Sequence, residues 1–577
     1  MAFYKPSLSS STTTSIFTSS YKRKTIFLSS FFLIFFLLLL LGNVFFSNPN
    51  FFHVEHLLIQ AKPSQPQSSF HPNKIKPPEL FKVILENQLR PHQTLKVGLI
   101  NFEDPPHSYL NFGGTVEIVN IKLEPISSNI TWEKLFPEWL DETQTKDSCP
   151  EIPMPKHGTY SGLDVVVAKL PCTKGKEEIN MNGNCLKEGI RDVHRLQISL
   201  ATAHLVVENG ISSKEKKVYA VFVGKCNEPM VELFRCDDLL WHKGDYWVYK
   251  PNVKKLKEMI GMPVGSCALH HPYAGSSEEK GSRELLANGN QFLHELQSVP
   301  RSTSTYAPRE AYVTIIHSSE DYVCGAIALA QSILQTNTTK ELVLLADHTI
   351  SHHSILRLQL AGWIVKRIER IDSPNRKMDA YNKWNYSKLR IWELVEYEKL
   401  IYIDSDFIVL RNIDHFFNLP QLSAAPNDKW LFNTGIMVLE PSKCFFDDLM
   451  AKRFSLNSYN GGDQGYLNEV LTWWHRLTLK INFMKIFSEG KREILVPKDR
   501  YTIHFLGTKP WLCNTSYDCN WDRLENHRFA SDDAHAYWWQ VYDAMPKKLK
   551  RYCGTTKKQD KGVHNKKPRA REHLIAL

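Results

Sequence analysis

Lys399-Leu-Ile-Tyr-Ile-Asp404-Ser405-Asp406-Phe-Ile-Val-Leu410 reads as an apolar strand that delivers two carboxylates, two residues apart, into a turn. Side chains alternate along an extended chain, so Asp404 and Asp406 can converge on one face. Paired hard oxygen ligands suit Mg2+ or Mn2+, and such an ion bridges a diphosphate and offsets the charge that builds as it departs. An Asp-x-Asp triplet alone decides little, because average composition places about two in a chain of this length. The bland reading is a pair of solvated turn aspartates, so the surrounding sequence has to arbitrate.

The block that holds this pair opens with Ala311-Tyr-Val-Thr-Ile315-Ile316, a polar turn 317–321 beginning at His317, and a helical pattern over 322–335 beginning at Tyr322. Strand, turn and helix in that order suggest a nucleotide-binding unit. Further strands are expected at 342–345, 400–403 and 435–439 with helices between, which predicts an open, mixed but mostly parallel α/β sheet. Ligands of such sheets sit at the carboxyl ends of the strands.

Three more segments fall near those ends. In Ile503-His504-Phe505-Leu506-Gly507-Thr508-Lys509-Pro510-Trp511 an imidazole ends a short apolar run and a lysine follows a glycine turn. Neutral imidazole is a third ligand for a transition ion, and Lys509 is a point charge suited to phosphate. Asn460-Gly461-Gly462-Asp463-Gln464-Gly465 sets a carboxylate and an amide beside glycines that let backbone approach a ligand. The structural alternative is that Asp463 caps a helix beginning at Gln464. Leu431-Phe-Asn433-Thr434-Gly435 enters a strand through small polar residues, which either bind a sugar hydroxyl or make a turn.

At 577 residues and 42% hydrophobic, the chain exceeds the size of a single core, and two folded bodies are expected. Residues 26–46 form a charge-free apolar run long enough to span a bilayer, preceded by Lys22, Arg23 and Lys24. The positive-inside rule then puts 1–25 in the cytosol and the rest in the lumen, a type II signal anchor. Residues 47–94, rich in Pro, Gln, Ser and Lys, read as a stem. An α/β region follows over 95–274, with strands at 96–100, 163–168 and 218–223 and a helix over 191–209. A polar linker is expected at 275–308, the domain bearing the carboxylate pair at 309–555 and a solvated basic tail at 556–577. The net charge of +10 is sharpest in that tail, and elsewhere acids and bases intermix, which argues against a nucleic-acid partner.

A lumenal position makes four N-x-Ser/Thr sites readable, at Asn129, Asn337, Asn385 and Asn514, and permits disulfides among eleven cysteines. Cys513 and Cys519 are spaced to staple a loop, whereas Cys324 and Cys444 lie in apolar stretches and read as buried thiols.

Taken in order, Val313-Thr-Ile-Ile-His-Ser-Ser319, Tyr386-Ser-Lys388-Leu-Arg-Ile-Trp392, Asp404-Ser-Asp406, Phe432-Asn-Thr-Gly435, Gly461-Gly-Asp-Gln-Gly465 and His504 to Trp511 resemble glycosyltransferase family 8 over about 309–553. Within it they resemble the glycogenin-like plant glucuronosyltransferases that substitute xylan with glucuronic acid. The resemblance implies a GT-A fold in a Golgi membrane protein that takes a UDP-sugar donor, with UDP-glucuronate favoured, and a xylan acceptor. Asp404, Asp406 and His504 would hold Mn2+, and Ile315, His317 and Tyr322 would bind uridine. Lys388 and Lys509 would meet the diphosphate or donor sugar, with Ser405 and the 504–509 turn alongside. Asn433 to Gly435 and Asn460 to Gln464 would line the sugar, Asp463 lying near the anomeric carbon. Lys388 and Asp463 are thus the catalytic candidates.

Family members retain anomeric configuration, yet no second carboxylate in these motifs suits double displacement, so same-face return assisted by the departing phosphate is the mechanism expected. A cation for the glucuronate carboxylate is sought among Arg376, Lys383 and Arg390. Alternatives are a glycogenin-like transferase with another UDP-sugar or acceptor, and a silent Golgi scaffold or carbohydrate-binding subunit of a polysaccharide-synthesis complex. The region from Lys96 to Cys267, with Trp132-Glu-Lys-Leu-Phe-Pro-Glu-Trp139, resembles the N-terminal part of the xylan enzymes, and scaffolding is expected of it in preference to acceptor binding.

Overall fold

The structure, a computed structural model, describes residues 94–269 and 308–553 apart from 103–115, 138–139, 141, 143–148, 172–190, 212–216, 225–227, 375–381, 429–430 and 488–494. The expected anchor at 26–46, the basic tail, and nearly all of the stem and linker lie outside the described residues. Among the described residues no helix is long and apolar enough to cross a membrane.

The first body is a six-stranded sheet in the order β2-β1-β3-β4-β6-β5, with β1 at Leu95–Ile100, β2 at Val116–Ile121, β3 at Val165–Lys169, β4 at Tyr219–Val223, β5 at Leu239–Lys243 and β6 at Tyr246–Tyr249. β1 to β4 are parallel, and the expected strands at 96–100, 163–168 and 218–223 are three of them. Strands such as Val165-Val-Val-Ala168 are buried throughout, the continuous apolar run of a sheet covered on both faces. β5 and β6 form a hairpin turned at Gly244 and Asp245, where Gly244 takes φ +58°. The helix Val193–Ile211 packs on β3 and β4.

The second body is a seven-stranded sheet in the order β14-β12-β13-β10-β7-β8-β9. Its strands are β7 at Glu310–Ile316, β8 at Glu341–Asp347, β9 at Ile364–Ile368 and β10 at Lys399–Ile403, then β12 at Ser423–Asp428, β13 at Leu431–Leu439 and β14 at His475–Arg476. A small sheet orders β11 (Phe407–Val409), β16 (Thr502–His504) and β15 (Phe483–Met484). β10, β7, β8 and β9 run parallel, and β13 runs antiparallel to both neighbours, so the sheet is mixed as expected. β13 begins four residues earlier than the sequence suggested, which corrects the turn reading of 432–434: Asn433 and Thr434 are strand residues. The sheet grows to both sides of β7, so the carboxyl ends of β7 and β10 adjoin at the point where ligands of such sheets bind.

The two bodies share one buried cluster that includes Phe222 and Phe234 from the first and Trp392, Phe446 and Trp473 from the second. Polar contacts cross the same boundary. Glu232, 3% exposed, accepts from the backbone N–H of Thr472 at 2.7 Å and of Trp473 at 3.0 Å. Arg476 donates to the carbonyls of Ser266 and Pro137, each at 2.6 Å.

Four disulfides are described: Cys149–Cys267, Cys236–Cys444, Cys324–Cys553 and Cys513–Cys519. The short Cys513–Cys519 staple matches expectation. The reading of Cys324 and Cys444 as thiols is wrong, because apolar surroundings suit a disulfide sulfur as well as a thiol. Their partners, 229 and 208 residues distant, leave no local signature.

Candidate active site

β10 runs directly into Asp404, and its pairing with β13 continues as the Asp404 N–H donates to the Gly435 carbonyl at 2.8 Å. Asp406 directly precedes β11, which pairs antiparallel with β16 so that Phe407 faces His504. The imidazole stacks on the Phe407 ring at 4.1 Å. Gly435 makes room for it: a Cβ there would lie 2.9 Å from the His504 ring and 2.7 Å from Asn433 Oδ1. One ligand atom from each of Asp404, Asp406 and His504 falls within 4.8 Å of the others, as the sequence suggested. Two other such clusters among the described residues, at Cys236, Asp237 and Cys444 and at Cys513, Asp518 and His535, contain disulfide-bonded sulfurs and are not metal sites.

The polar groups around the three are assigned in detail. Asp406 is 9% exposed; its Oδ2 accepts from Lys509 Nζ at 2.6 Å. Its Oδ1 has no hydrogen-bond partner and lies 3.5 Å from His504 Nε2. The Nδ1–H of His504 donates to Asn482 Oδ1 at 3.1 Å, which turns the Nε2 lone pair toward Asp406. Burial pushes the His504 pKa down to about 4, so the ring is a neutral ligand at physiological pH. Tyr402, on the same face of β10, donates its hydroxyl to Asp404.

Lys388 Nζ lies 2.6 Å from Asp463 and 3.3 Å from Asp404 and donates to the Thr434 carbonyl at 3.2 Å. Burial opposes its charge, but Asp404 and Asp463 outweigh burial and raise its pKa, so it stays ionised. Burial raises the Asp404 carboxyl; Lys388 opposes the rise, and Asp406 and Asp463 add to it. Burial would raise Asp406 too, yet Lys509 and His504 hold it below the usual range.

Asp463 is the first residue of the helix Asp463–Val470, and Gly462 occupies the cap position. The capping reading is therefore corrected: the Asp463 carboxylate faces Lys388 and accepts from Thr434 Oγ1 at 2.8 Å. Asn460 Oδ1 folds the loop by accepting from the N–H groups of Gly462 and Gly465, and Gly461 takes φ +68°. Gln464 accepts from the Thr434 N–H at 3.3 Å, and Asn433 Oδ1 accepts from Gly435 at 2.8 Å.

The remaining candidates are placed less uniformly. His317 follows β7, and burial lowers its pKa to about 4. Tyr322 is 38% exposed, with Lys509 Nζ 5.8 Å from its ring centre. The Ile315 side chain and that of Phe505 are buried in the core, so Phe505 reaches the site only through its carbonyl, held by Lys509 at 2.6 Å. Ser405 is buried, its carbonyl against Gly325. Leu506 and Gly507 belong to the turn, and Thr508 is bound by Asn520. Of the cations sought for a sugar carboxylate, Arg390 pairs with Glu393 at 2.7 Å and Lys383 lies 5.0 Å over the Trp384 ring. Arg376 lies outside the described residues.

Sequence reading missed Tyr402, Asn482 and Asn520. Each is a single polar residue whose partner is 2, 22 or 12 positions away, with no motif to mark it.

Comparison with known proteins matches residues 313–515 to glycosyl transferase family 8 and residues 72–267 to the GUX1-5 N-terminal domain. The chain is 47% identical over 500 residues, 85% of each chain, to an Arabidopsis thaliana protein named as candidate UDP-glucuronate:xylan alpha-glucuronosyltransferase 5. It is 43% identical over 510 residues, 86% of this chain and 81% of the other, to UDP-glucuronate:xylan alpha-glucuronosyltransferase 2 of the same plant. A solved structure of the galactosyltransferase LgtC with donor and acceptor sugar analogs aligns at TM-score 0.31 and 14% identity, over 42% of this chain and 99% of that one.

Proposed function

The chain belongs to glycosyltransferase family 8, with the Arabidopsis UDP-glucuronate:xylan alpha-glucuronosyltransferases among its relatives, and from that premise we propose that it is a GT-A enzyme moving glucuronic acid from UDP-glucuronate onto the xylan backbone with retention. The observation that carries the chemistry is the buried, unpartnered Oδ1 of Asp406 facing Nε2 of His504. An orphaned buried acceptor is costly unless something fills it. Two carboxylates and one neutral imidazole fit a divalent ion, and the nitrogen ligand favours Mn2+ over Mg2+.

When bound, Mn2+ supplies a counter-charge for the diphosphate leaving group. Lys509, beside Asp406, adds a point charge for a phosphate oxygen, and Lys388 does the same from the other side of Asp404. Asn433, Thr434 and the Asn460 to Gln464 loop hold the sugar, with Asp463 and Thr434 locked together beneath it. A carboxylate already held by Lys388 and a threonine hydroxyl is a poor nucleophile, which favours same-face substitution over a covalent intermediate. An acceptor hydroxyl bonds to the anomeric carbon as the bond to the β-phosphate oxygen breaks, and the departing phosphate takes the proton. Mass spectrometric trapping of a glycosyl adduct on Asp463 would exclude this route.

The charge-free run at 26–46 behind Lys22, Arg23 and Lys24 supports a membrane anchor with the catalytic part lumenal, and the xylan-glucuronosyltransferase relatives support the Golgi as its compartment. The test is incubation of the full-length protein with Mn2+ and a panel of UDP-sugars, with and without xylo-oligosaccharides, followed by mass analysis. Addition of a uronosyl mass to the oligosaccharide is expected. UDP release without oligosaccharide growth would overturn the acceptor, and no turnover with any donor would leave a scaffold.

A further inference from the structure

We propose that Asn520 is a positioning residue for Lys509, and that the loop closed by Cys513–Cys519 is the buckle that keeps it in place. The proposal rests on the reading of Lys509 as the cation that meets the donor's diphosphate. Asn520 lies beyond residue 515, where the match to the family ends.

The turn that carries Lys509 has little rigidity of its own. Gly507 takes φ +75°, the left-handed region that only glycine enters freely. The turn is instead clamped from outside. The fully buried Asn520 accepts the Thr508 N–H on Oδ1 at 2.8 Å and donates from Nδ2 to the Thr508 carbonyl at 2.9 Å. One amide thereby occupies both backbone groups of the residue before Lys509 and sets the planes of both adjoining peptides. The contact is tight as well: a Cβ on Gly507 would lie 2.5 Å from Asn520 Oδ1 and 2.8 Å from the Phe529 Cβ.

Asn520 is itself held. Asp518 Oδ1 accepts from the Asn520 N–H at 3.0 Å and from its Nδ2 at 2.7 Å. Asp518 Oδ2 pairs with Lys485 Nζ at 2.5 Å and accepts from the Ser531 N–H at 2.9 Å, with the Lys485 and Asp518 side chains 0% and 1% exposed. The Lys485 N–H donates to the His504 carbonyl at 3.0 Å, which ties this chain of contacts back to the strand bearing the histidine. The disulfide joins cysteines six positions apart, closing a loop that contains Asp518 and ends directly before Asn520. A buried ion pair adds little net stability by itself, and fixing one geometry is its better use. The fixed object here is Lys509 Nζ, 2.6 Å from Asp406.

The test measures UDP affinity of the full-length protein by calorimetry with Mn2+ present, alone and in a double-mutant cycle. Asn520→Ala is expected to weaken UDP about tenfold, in line with the loss of one charged contact, with unchanged acceptor KM. In a Lys509→Ala background the same change is expected to add less than about twofold, because the cation it positions is gone. Undiminished UDP affinity in Asn520→Ala, or an equal loss in the Lys509→Ala background, overturns the proposal. Should Asn520→Ala fail to fold, the Cys513→Ser/Cys519→Ser protein serves: a loss of UDP affinity that disappears with Lys509→Ala supports the buckle, and wild-type affinity refutes it. Because UDP binding needs neither the donor sugar nor xylan, failure of the glucuronosyltransferase reading would show instead as wild-type protein without transfer.

Discussion

In the catalytic body β7 and β10 lead into His317 and Asp404, whereas in the N-terminal body β1 leads into Asn101, whose side-chain amide is bound to the Lys169 carbonyl at 2.8 Å. Both are α/β sheets with parallel strands at their centre. In the catalytic body the carboxylates that follow β10 meet an imidazole from β16 and two lysines, Lys388 and Lys509, from segments outside the sheets. Two acid and base groups of the N-terminal body turn toward its neighbour: Glu232 toward Thr472 and Trp473, and Arg235 toward Glu440. Shared architecture therefore does not confer shared chemistry; what matters is where the polar side chains are directed. We propose that the N-terminal body supports the catalytic one, and four perturbations test that division.

The largest effect belongs to the strand ends. Asp404→Asn combined with Asp406→Asn is expected to cut turnover by at least about a thousandfold, since one lost electrostatic contact to a developing charge already costs about that. The protein should still fold, with a lowered melting temperature because Lys509 and Lys388 lose carboxylate partners; undiminished turnover would remove the site.

Next is the covalent link between the bodies. Replacing Cys236 and Cys444 by serine releases a constraint spanning 208 residues and is expected to cost about 4 kcal/mol, seen as a lower denaturant midpoint. An unchanged midpoint would mean that the shared core alone holds the two together.

Acid sensitivity is third. Burial depresses His504 from 6.5 to about 4, so between those values the unfolded chain takes up a proton that the folded chain refuses. Stability contributed by the neutral ring is full above pH 6.5 and declines as pH falls toward 4, by about 3 kcal/mol in metal-free protein. His504→Gln should remove the His504 share of that decline from the melting-temperature profile and leave the share of the equally depressed His317.

The smallest is Glu232→Ala, which leaves the N–H groups of Thr472 and Trp473 unpaired and is expected to cost about 2 to 3 kcal/mol. Glu232→Gln keeps an acceptor in place and should cost less than about 1 kcal/mol. Turnover of the remaining folded enzyme should be unchanged in both; a fall in kcat would give the N-terminal body a catalytic share.

Much of this was legible because period and burial agree. Val165 to Ala168 and Leu400 to Ile403 are unbroken apolar runs, and both are fully buried strands. The meeting of Asp404, Asp406 and His504 was legible because they sit at the ends of apolar runs. The register of β13 was hidden, since Phe432-Asn433-Thr434-Gly435 carries turn chemistry and is held extended by Asn468, which bonds both backbone groups of Phe432 at 2.9 Å. Long-range partners such as Asn482 for His504 and Cys553 for Cys324 depend on tertiary proximity that no local pattern encodes.

The most direct test of the Asp404, Asp406 and His504 site is titration of the full-length protein with Mn2+ in the presence of UDP, followed by electron paramagnetic resonance. Wild type is expected to bind one ion, and Asp404→Asn/Asp406→Asn to leave the ion free in solution. Equal binding in the two proteins would contradict the assignment and place the metal elsewhere.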